Sequence, residues 1–300
     1  MLKIFDRKGD YQSLLHYPKF VYLQLMHFFI NIIEPPPGLD FKRWVNIIAE
    51  IFSNYLDIRV ASRSLLVTTI LKISELPEFL PSGRYPTLKD VYFYLLKMKI
   101  PLLSNISRQK ETLIIRLEGL FAVFGDNINS HRQLNWNKFI KTDWALSLVG
   151  LPTDYQNLLI LIIVSKVLMY RIVNNLRSQN LENLVVLDEA STMLKIWHEQ
   201  REGNYLLLDY LAQAREFGVG FLISTQTLST LPTSLLANTG IKVIVGGSGS
   251  GTDYDIFASA TGITPEQKTY LKQLTNPGQA CVKDPRYPHV FTLKVPHIVE

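Results

Sequence analysis

The strongest constraint on the fold is a run of four apolar residues, 184–187, followed directly by two acidic ones, Asp188 and Glu189. A strand that is apolar on both sides is typical of the centre of a parallel sheet, where helices cover both faces. Open α/β sheets bind their ligands beyond the carboxyl ends of such strands. The run therefore predicts an α/β fold, and it places two carboxylates where a ligand would bind.

Strands and helices alternate along much of the rest of the chain. Apolar runs predict strands at 2–5, 20–25, 145–149, 184–187, 219–224, 241–245, 280–283 and 290–295. Helical periodicity in the second half predicts helices at 153–177, 205–216, 233–237, 253–260 and 265–274. Alternation of this kind is typical of βαβ units, so we expect a mainly parallel sheet flanked by helices.

The region between residues 39 and 140 has a helical pattern only. A proline-rich turn at 35–38 separates it from the opening strands. Apolar residues then recur at three- and four-residue spacing over 45–55, 65–73, 91–96 and 113–124. We therefore expect an all-helical subdomain at 39–140, inserted into an α/β core that is formed by residues 1–38 and 141–300.

Charge and cysteine content limit the functional classes. The formal net charge is +5, with most of the positive excess in residues 1–150. This balance suits a phosphate-rich partner such as nucleic acid, although a solvated lysine-rich surface would give it too. The single cysteine, Cys281, excludes a disulfide framework and a cysteine-based metal cluster. The longest apolar run, 158–164, is far shorter than the about 20 residues of a membrane span, so we expect a soluble, cytoplasmic protein.

Two further residues could complete a nucleotide-hydrolysing site around the acidic pair. In nucleotide hydrolases, the first acid of such a pair holds Mg²⁺ through water, and the second orients or deprotonates the attacking water. Arg215 at a helix end could reach an ATP bound by a neighbouring subunit, and Gln226 at a strand end could sense the γ-phosphate. The alternatives are a strand end that only caps the next helix, a surface salt bridge for Arg215 and a turn hydrogen bond for Gln226.

Several segments, taken in order, resemble the HerA/FtsK-type ring ATPases, which include the motor proteins of conjugative DNA transfer. Residues 187–190 are similar to their Walker B strand, 213–218 to their arginine-finger segment and 224–226 to their sensor strand. Residues 5–11, 32–37 and 262–278 resemble, in turn, their second core strand with its acidic turn, the approach to their helical insertion and their closing helix and strand. The resemblance covers nearly the whole chain.

The resemblance implies a RecA-like core with ATP and Mg²⁺ as cofactors. Asp188 would then hold the Mg²⁺ through water, Glu189 would activate the attacking water, and Asp6 would support the metal or water network. Gln226 would sense the γ-phosphate, and Arg215 would act on the nucleotide of a neighbour. The resemblance also implies a homo-hexameric ring around double-stranded DNA, with a nuclease, a relaxase or a secretion channel as a further partner.

The chain departs from this family at the phosphate-binding loop. The family's loop ends in Gly-Lys-Ser/Thr, and no Gly-Lys pair occurs anywhere in this sequence. The resemblance implies that the strand presenting the loop lies beside the Walker B strand, so we expect its absence to leave a gap in the sheet. The chain is then either the C-terminal part of a longer ATPase polypeptide, which the retained acidic pair, Arg215 and Gln226 favour, or a non-catalytic assembly subunit that keeps the fold without the nucleotide.

A glycine-rich loop at 246–252 offers a different site. Gly246 and Gly251 have the separation of a phosphate-binding loop, with Thr252 after them. The lysine is missing, however, and Asp253 brings negative charge to the start of the next helix. A flexible loop with Thr252 or Asp253 as the helix cap is the simpler interpretation. A small-molecule α/β enzyme that uses this loop for a phosphorylated ligand is the least supported alternative.

Overall fold

The predicted central strand is the end of a longer strand, β4 (Ser178–Leu187), in the computed structural model. The structure describes residues 1–79, 83–101, 104–131, 134–193, 210, 212–246, 251–272 and 278–296. The chain forms two compact units, Met1–Leu187 with Gln213–Leu222 and Asp188–Ala212 with Ile223–Glu300. The division into 1–38, 39–140 and 141–300 stays a prediction.

A five-stranded sheet forms the core of the first unit. Besides β4, its strands are β1 (Leu2–Asp6), β2 (Phe20–Gln24), β3 (Asp143–Ser147) and β5 (Phe217–Ile223). The strand order is β2-β3-β1-β4-β5. β1 runs parallel to both of its neighbours, with Phe5 opposite Leu146 on one side and Leu187 on the other. The α/β fold with a mainly parallel sheet is therefore confirmed.

The sheet is continuous at β4, because β1 pairs along one edge of this strand and β5 along the other. The expectation of a gap beside the Walker B strand is therefore wrong. The predicted run 184–187 thus lies between two hydrogen-bonded neighbour strands, and no further strand is needed beside it. In the described part of the chain, β2 and β5 lie at the two edges of the sheet.

Six helices of the first unit have both ends within the described residues. They are α1 (Phe41–Tyr55), α2 (Val60–Ser74), α3 (Leu88–Lys97), α4 (Asn105–Phe124), α5 (Trp136–Lys141) and α6 (Thr153–Val173). Short 3-10 helices span Gln12–His16 and Leu25–His27. Capping side chains set several starts: Asp40 accepts a hydrogen bond from the Arg43 amide, and Thr87 forms a capping box with Asp90. Helices α1–α4 confirm the four helical segments predicted between residues 39 and 140.

Helix α6 is long and apolar enough to cross a membrane, by length and composition alone, but 83% of its apolar window is buried inside the protein. Even Lys166, near its middle, is buried. The Lys166 amine donates to the Glu34 carbonyl and lies over the rings of Trp44 and Trp136, 4.7 and 5.8 Å from their centroids. Loss of hydration lowers the pKa of Lys166 to about 7. α6 is therefore a core helix, as the sequence predicts.

The second unit contains a separate sheet of β6 (Lys242–Val245), β7 (Gln279–Lys283) and β8 (Phe291–Lys294). Both strand pairs are antiparallel, so these three predicted strands do not extend the parallel sheet. A short connection between consecutive strands, such as that between β7 and β8, allows only antiparallel pairing. Ile244 and Cys281 pack with Phe257 and Leu271 of the helices α8 (Gly251–Thr261) and α9 (Pro265–Lys272). The unit also contains α7 (Thr233–Asn238) and the 3-10 helix Leu228–Thr230.

Candidate functional site

Asp188 and Glu189 follow β4 directly, and both are half-buried. Asp188 Oδ1 accepts hydrogen bonds from the Glu189 amide, at 3.0 Å, and from the Ser224 hydroxyl. Ser224 follows β5 in the same way, and its carbonyl accepts a hydrogen bond from the Ala190 amide at 2.9 Å. The first residues after two neighbouring strands are therefore joined through both side chains and backbone.

Glu189 is bonded to the segment after β5 as well. The Gln226 amide nitrogen Nε2 donates to Glu189 Oε1 at 3.0 Å, and the Gln226 side chain is exposed. The hydroxyl of Thr192 donates to the Glu189 carbonyl at 3.2 Å. Three of the five predicted site residues, Asp188, Glu189 and Gln226, thus lie together in one cluster of the second unit.

The backbone at Glu189 is in the left-handed region, with φ of +50°. This conformation costs a residue with a Cβ atom about 1–3 kcal/mol, and such residues are concentrated at functional sites. The hydrogen bonds from the Glu189 amide to Asp188 and from the Ala190 amide to Ser224 hold the turn in this conformation. The sequence does not predict the strain, because glycine rather than glutamate usually occupies such a position.

The cluster fits a Mg²⁺ ion that is held mainly through water. In the described residues, no three His, Cys, Asp or Glu side chains come together as a metal cage. Mg²⁺ does not need a cage, because it keeps several waters and binds one or two carboxylates together with substrate phosphates. Both hydrogen bonds described for Asp188 use Oδ1, so Oδ2 is suited to accept a metal-bound water.

Arg215 belongs to the first unit, immediately after the helical residues 212–214. Its carbonyl accepts a hydrogen bond from the Gly218 amide at 3.2 Å, and Gly218 has φ of +65°, as predicted for a helix-ending glycine. A Cβ atom at Gly218 would lie 2.7 Å from the Asn180 carbonyl oxygen. The Arg215 side chain is exposed and has no ion pair within the described residues. An exposed guanidinium of this kind is able to reach a second molecule.

Asp6 belongs to the first unit and is fully buried. Its carboxylate accepts hydrogen bonds from the backbone amides of residues 8, 9, 10 and 11 at 2.7 to 3.4 Å. It also accepts one from the Tyr22 hydroxyl at 2.7 Å. These contacts make Asp6 the anchor of the turn after β1. Its role in a metal or water network stays a prediction, as do the roles of the other site residues.

Sequence reasoning missed Ser224, whose hydroxyl donates to the Asp188 carboxylate. The sequence placed it in the sensor segment but gave it no part in the site. The available signal was its position, because Ser224 follows β5 directly, as Asp188 follows β4. Of the glycine-rich loop, residues 247–250 lie outside the described residues. Asp253 is buried, and its carboxylate accepts a hydrogen bond from the Ser229 amide at 3.0 Å.

The solved structures that share this fold include those of two proteins, VirB4 and TrwB. VirB4 of Thermoanaerobacter pseudethanolicus matches with a TM-score of 0.69 and 13% identity over 99% of this chain and 82% of its own. The plasmid coupling protein TrwB in complex with ADP and Mg²⁺ matches with a TM-score of 0.66 and 13% identity over 98% of this chain and 78% of its own. The unbound bacterial conjugative coupling protein TrwBdeltaN70 matches with a TM-score of 0.64 and 14% identity, over 98% of this chain and 78% of its own.

At such identities the similarity shows the fold alone. The chain has the fold of the conjugative-transfer ATPases, and the resemblance predicted from the sequence is confirmed at that level. No protein-family model matches the sequence, and no curated protein matches it.

Proposed function

We propose that this chain is the hydrolytic half of an ATP-driven DNA translocase of the conjugative-transfer type. The observation that carries the proposal is the cluster after β4 and β5, in which Ser224 donates to Asp188 and Gln226 donates to Glu189. It combines one carboxylate for a metal, a second for a water molecule and an amide that bonds to the second. The crystallised complexes of TrwB with ADP and Mg²⁺ and with ADPNP support nucleotide and Mg²⁺ as the ligands of the fold.

In this proposal each residue has a distinct role. Asp188 holds Mg²⁺ through water, Glu189 takes the proton of the attacking water, and Gln226 orients Glu189 and senses the γ-phosphate. Asp6 acts indirectly, since its carboxylate fixes the turn after β1. Arg215 offsets the transition-state charge on a nucleotide bound by a neighbouring subunit.

The role of Arg215 requires a neighbour, so the proposal includes a homo-hexameric ring in the cytoplasm. Double-stranded DNA would pass through the ring and contact basic side chains through its phosphates, which makes DNA binding strongly salt-dependent. A nuclease, a relaxase or a secretion channel would act with the motor. Because the sequence contains no Gly-Lys pair, the phosphate-binding loop would be supplied by a longer polypeptide of which these 300 residues are a part.

The test is Mg²⁺-dependent ATP turnover by the full-length polypeptide in the presence of DNA. Asp188→Asn keeps an acceptor for Ser224 and removes the charge that holds the metal, so we expect turnover to fall at least about 100-fold. The matched control is Asp154→Asn, at an exposed aspartate of helix α6, which should leave turnover unchanged. Equal turnover by the parent and the Asp188→Asn variant would overturn the assignment.

A non-catalytic assembly subunit is the second candidate, and the missing Gly-Lys pair favours it. It predicts that the full-length polypeptide binds no Mg²⁺-ATP in a calorimetric titration, while it still associates with its partners. Binding that is lost in the Asp188→Asn variant would reject this candidate.

A further inference from the structure

Two lysines face each other at one end of the three-stranded sheet. Lys242 of β6 is directly opposite Lys283 of β7, and like charges in this position destabilise a strand pair. The Lys242 amine donates to the Thr239 carbonyl at 2.6 Å, and the Lys283 amine donates to the Pro288 carbonyl at 3.1 Å. Burial and the charge of Lys283 lower the pKa of Lys242. The pair is therefore a concentrated positive charge that an anionic partner would stabilise.

The nearest carboxylate on the β7–β8 hairpin is already neutralised. Asp284 accepts two hydrogen bonds from Arg286 Nε at 3.0 Å and one from the Arg286 amide at 2.9 Å. The Tyr287 amide donates to the Asp284 carbonyl at 3.0 Å. These bonds fix the hairpin tip, and they leave the charge of the two lysines uncompensated by Asp284.

The same tip presents an exposed aromatic ring next to Pro288, the residue that the Lys283 amine contacts. Tyr287 is 52% exposed and meets Phe291 edge to face, with ring centroids 5.3 Å apart. The two rings, with Pro288, His289 and Val290, line an open cleft of about 470 Å³. The bond from Lys283 to the Pro288 carbonyl brings one of the amines to this cleft. Positive charge and an exposed ring thus occur at one place on a fixed loop.

We propose that the β7–β8 hairpin is a binding site for single-stranded DNA, with an unpaired base stacked on Tyr287 and a phosphate beside Lys283. Stacking on an exposed ring needs a base whose face is free, which a duplex does not offer. The Lys283 amine at this cleft puts a positive charge near the ring, which matches the alternation of base and phosphate along a single strand. The choice of DNA as the polymer rests on the proposed function, whereas the stacking and the charge rest on the hairpin itself.

The experiment measures binding of the full chain to a fluorescent oligothymidylate of about 20 nucleotides and to a duplex of the same length, by anisotropy, without nucleotide. We expect Tyr287→Ala to weaken single-strand binding about tenfold or more, and Tyr287→Phe to keep it. The control Tyr17→Ala, at an exposed tyrosine of the first unit, should have no effect. Lys283→Gln should reduce the dependence of log K on log salt by about 0.7, the value for one phosphate contact. Its control is Lys138→Gln, at an exposed lysine of helix α5 in the first unit, which should leave this dependence unchanged.

Equal binding of single strand and duplex, or an unchanged affinity of Tyr287→Ala, would overturn the proposal. Failure of the hairpin and failure of the motor are distinguishable, because binding without nucleotide does not depend on the acidic pair. Asp188→Asn should bind the oligonucleotide like the parent. A chain that binds single strands through Tyr287 but belongs to an inactive ATPase would keep the hairpin site and lose only the proposed function.

Discussion

Asp6 is the last residue of β1 and belongs to the first unit. Asp188 comes directly after β4 and is the first residue of the second unit, so the two acids have equivalent positions at strand ends. Their surroundings differ. Asp6 is fully buried and accepts hydrogen bonds from four backbone amides and a tyrosine hydroxyl. Asp188 is half-buried and accepts two hydrogen bonds at one oxygen. An acid at the end of a parallel strand is therefore a structural anchor where amides saturate it, and a candidate reactive group where they do not.

Two lysines of the first unit are buried and hydrogen-bonded inside the protein, as Asp6 is. Lys3 is buried, with its amine donating to the Thr142 carbonyl and lying 5.5 Å from the centre of the Trp144 ring. Burial lowers its pKa to about 8. Lys166 is enclosed in the same manner between two tryptophans. We therefore expect these buried charges of the first unit to affect stability, and those of the acidic cluster to affect turnover.

Glu189→Gln should give the largest change. It removes the proposed base but keeps an oxygen that accepts from Gln226, so we expect ATP turnover by the full-length polypeptide to fall about 10²- to 10⁴-fold. The free energy of unfolding should change by less than about 0.5 kcal/mol, because the side chain is half-buried and its size is unchanged. A phosphate-release assay and urea unfolding of the same preparation measure the two. A large loss of stability with unchanged turnover would show that Glu189 is a structural anchor, like Asp6, and not the base.

Asp6→Ala should give the opposite result. Its removal leaves buried backbone amides and the Tyr22 hydroxyl without their acceptor, at a cost of about 3 kcal/mol in the free energy of unfolding. Urea unfolding at unchanged m-value measures this loss. Asp10→Ala in the same turn is the control, since Asp10 is exposed. An unchanged urea midpoint for Asp6→Ala would show that the amides find other hydrogen-bond acceptors. Asp6 would then not be a structural anchor, and its difference from Asp188 would be refuted.

Sequence reasoning succeeded where pattern alone determines structure. The apolar run 184–187 predicted a central parallel strand, and β4 has partners on both sides. Helical spacing predicted α1 to α4, and a run of apolar residues interrupted by Lys166 predicted the buried helix α6. These features depend on local periodicity and burial, which a sequence records directly.

Sequence reasoning failed where the structure depends on pairing between segments that are far apart in the chain. The expected gap beside the Walker B strand did not occur, because strand order is a property of the whole sheet and no local signal specifies it. The last three strands paired antiparallel in a sheet of their own for the same reason. In the candidate site, the pairs Asp188–Ser224 and Glu189–Gln226 join segments more than 30 residues apart, so only the strand-end positions hinted at them.

The burial of Lys3 makes the free energy of unfolding depend on pH. The folded chain releases the Lys3 proton near pH 8, whereas the unfolded chain keeps it to about pH 10.5, so the unfolded state binds more protons between these values. Lys3 therefore contributes a rise in stability of about 1–2 kcal/mol as pH increases from 8 towards 9.5, and Lys166 contributes in the same direction. Urea midpoints at several pH values measure the rise. It should be smaller in Lys3→Met and unchanged in the exposed control Lys138→Met. A parent whose midpoint does not rise over this range would contradict the cost of burying this charge.

Gln226→Ala should give the smallest change in turnover, with almost no change in stability. Its amide makes one hydrogen bond to Glu189 Oε1 at 3.0 Å from an exposed position, so its loss should leave the free energy of unfolding within about 0.5 kcal/mol. If that bond orients the base, turnover by the full-length polypeptide falls about tenfold, equivalent to about 1.4 kcal/mol. Gln24→Ala, at an exposed glutamine that ends β2, is the control and should change neither quantity. A loss of turnover in Glu189→Gln that is not increased by adding Gln226→Ala would show that the amide acts through the carboxylate. Additive losses would mean that Gln226 acts on the nucleotide by itself.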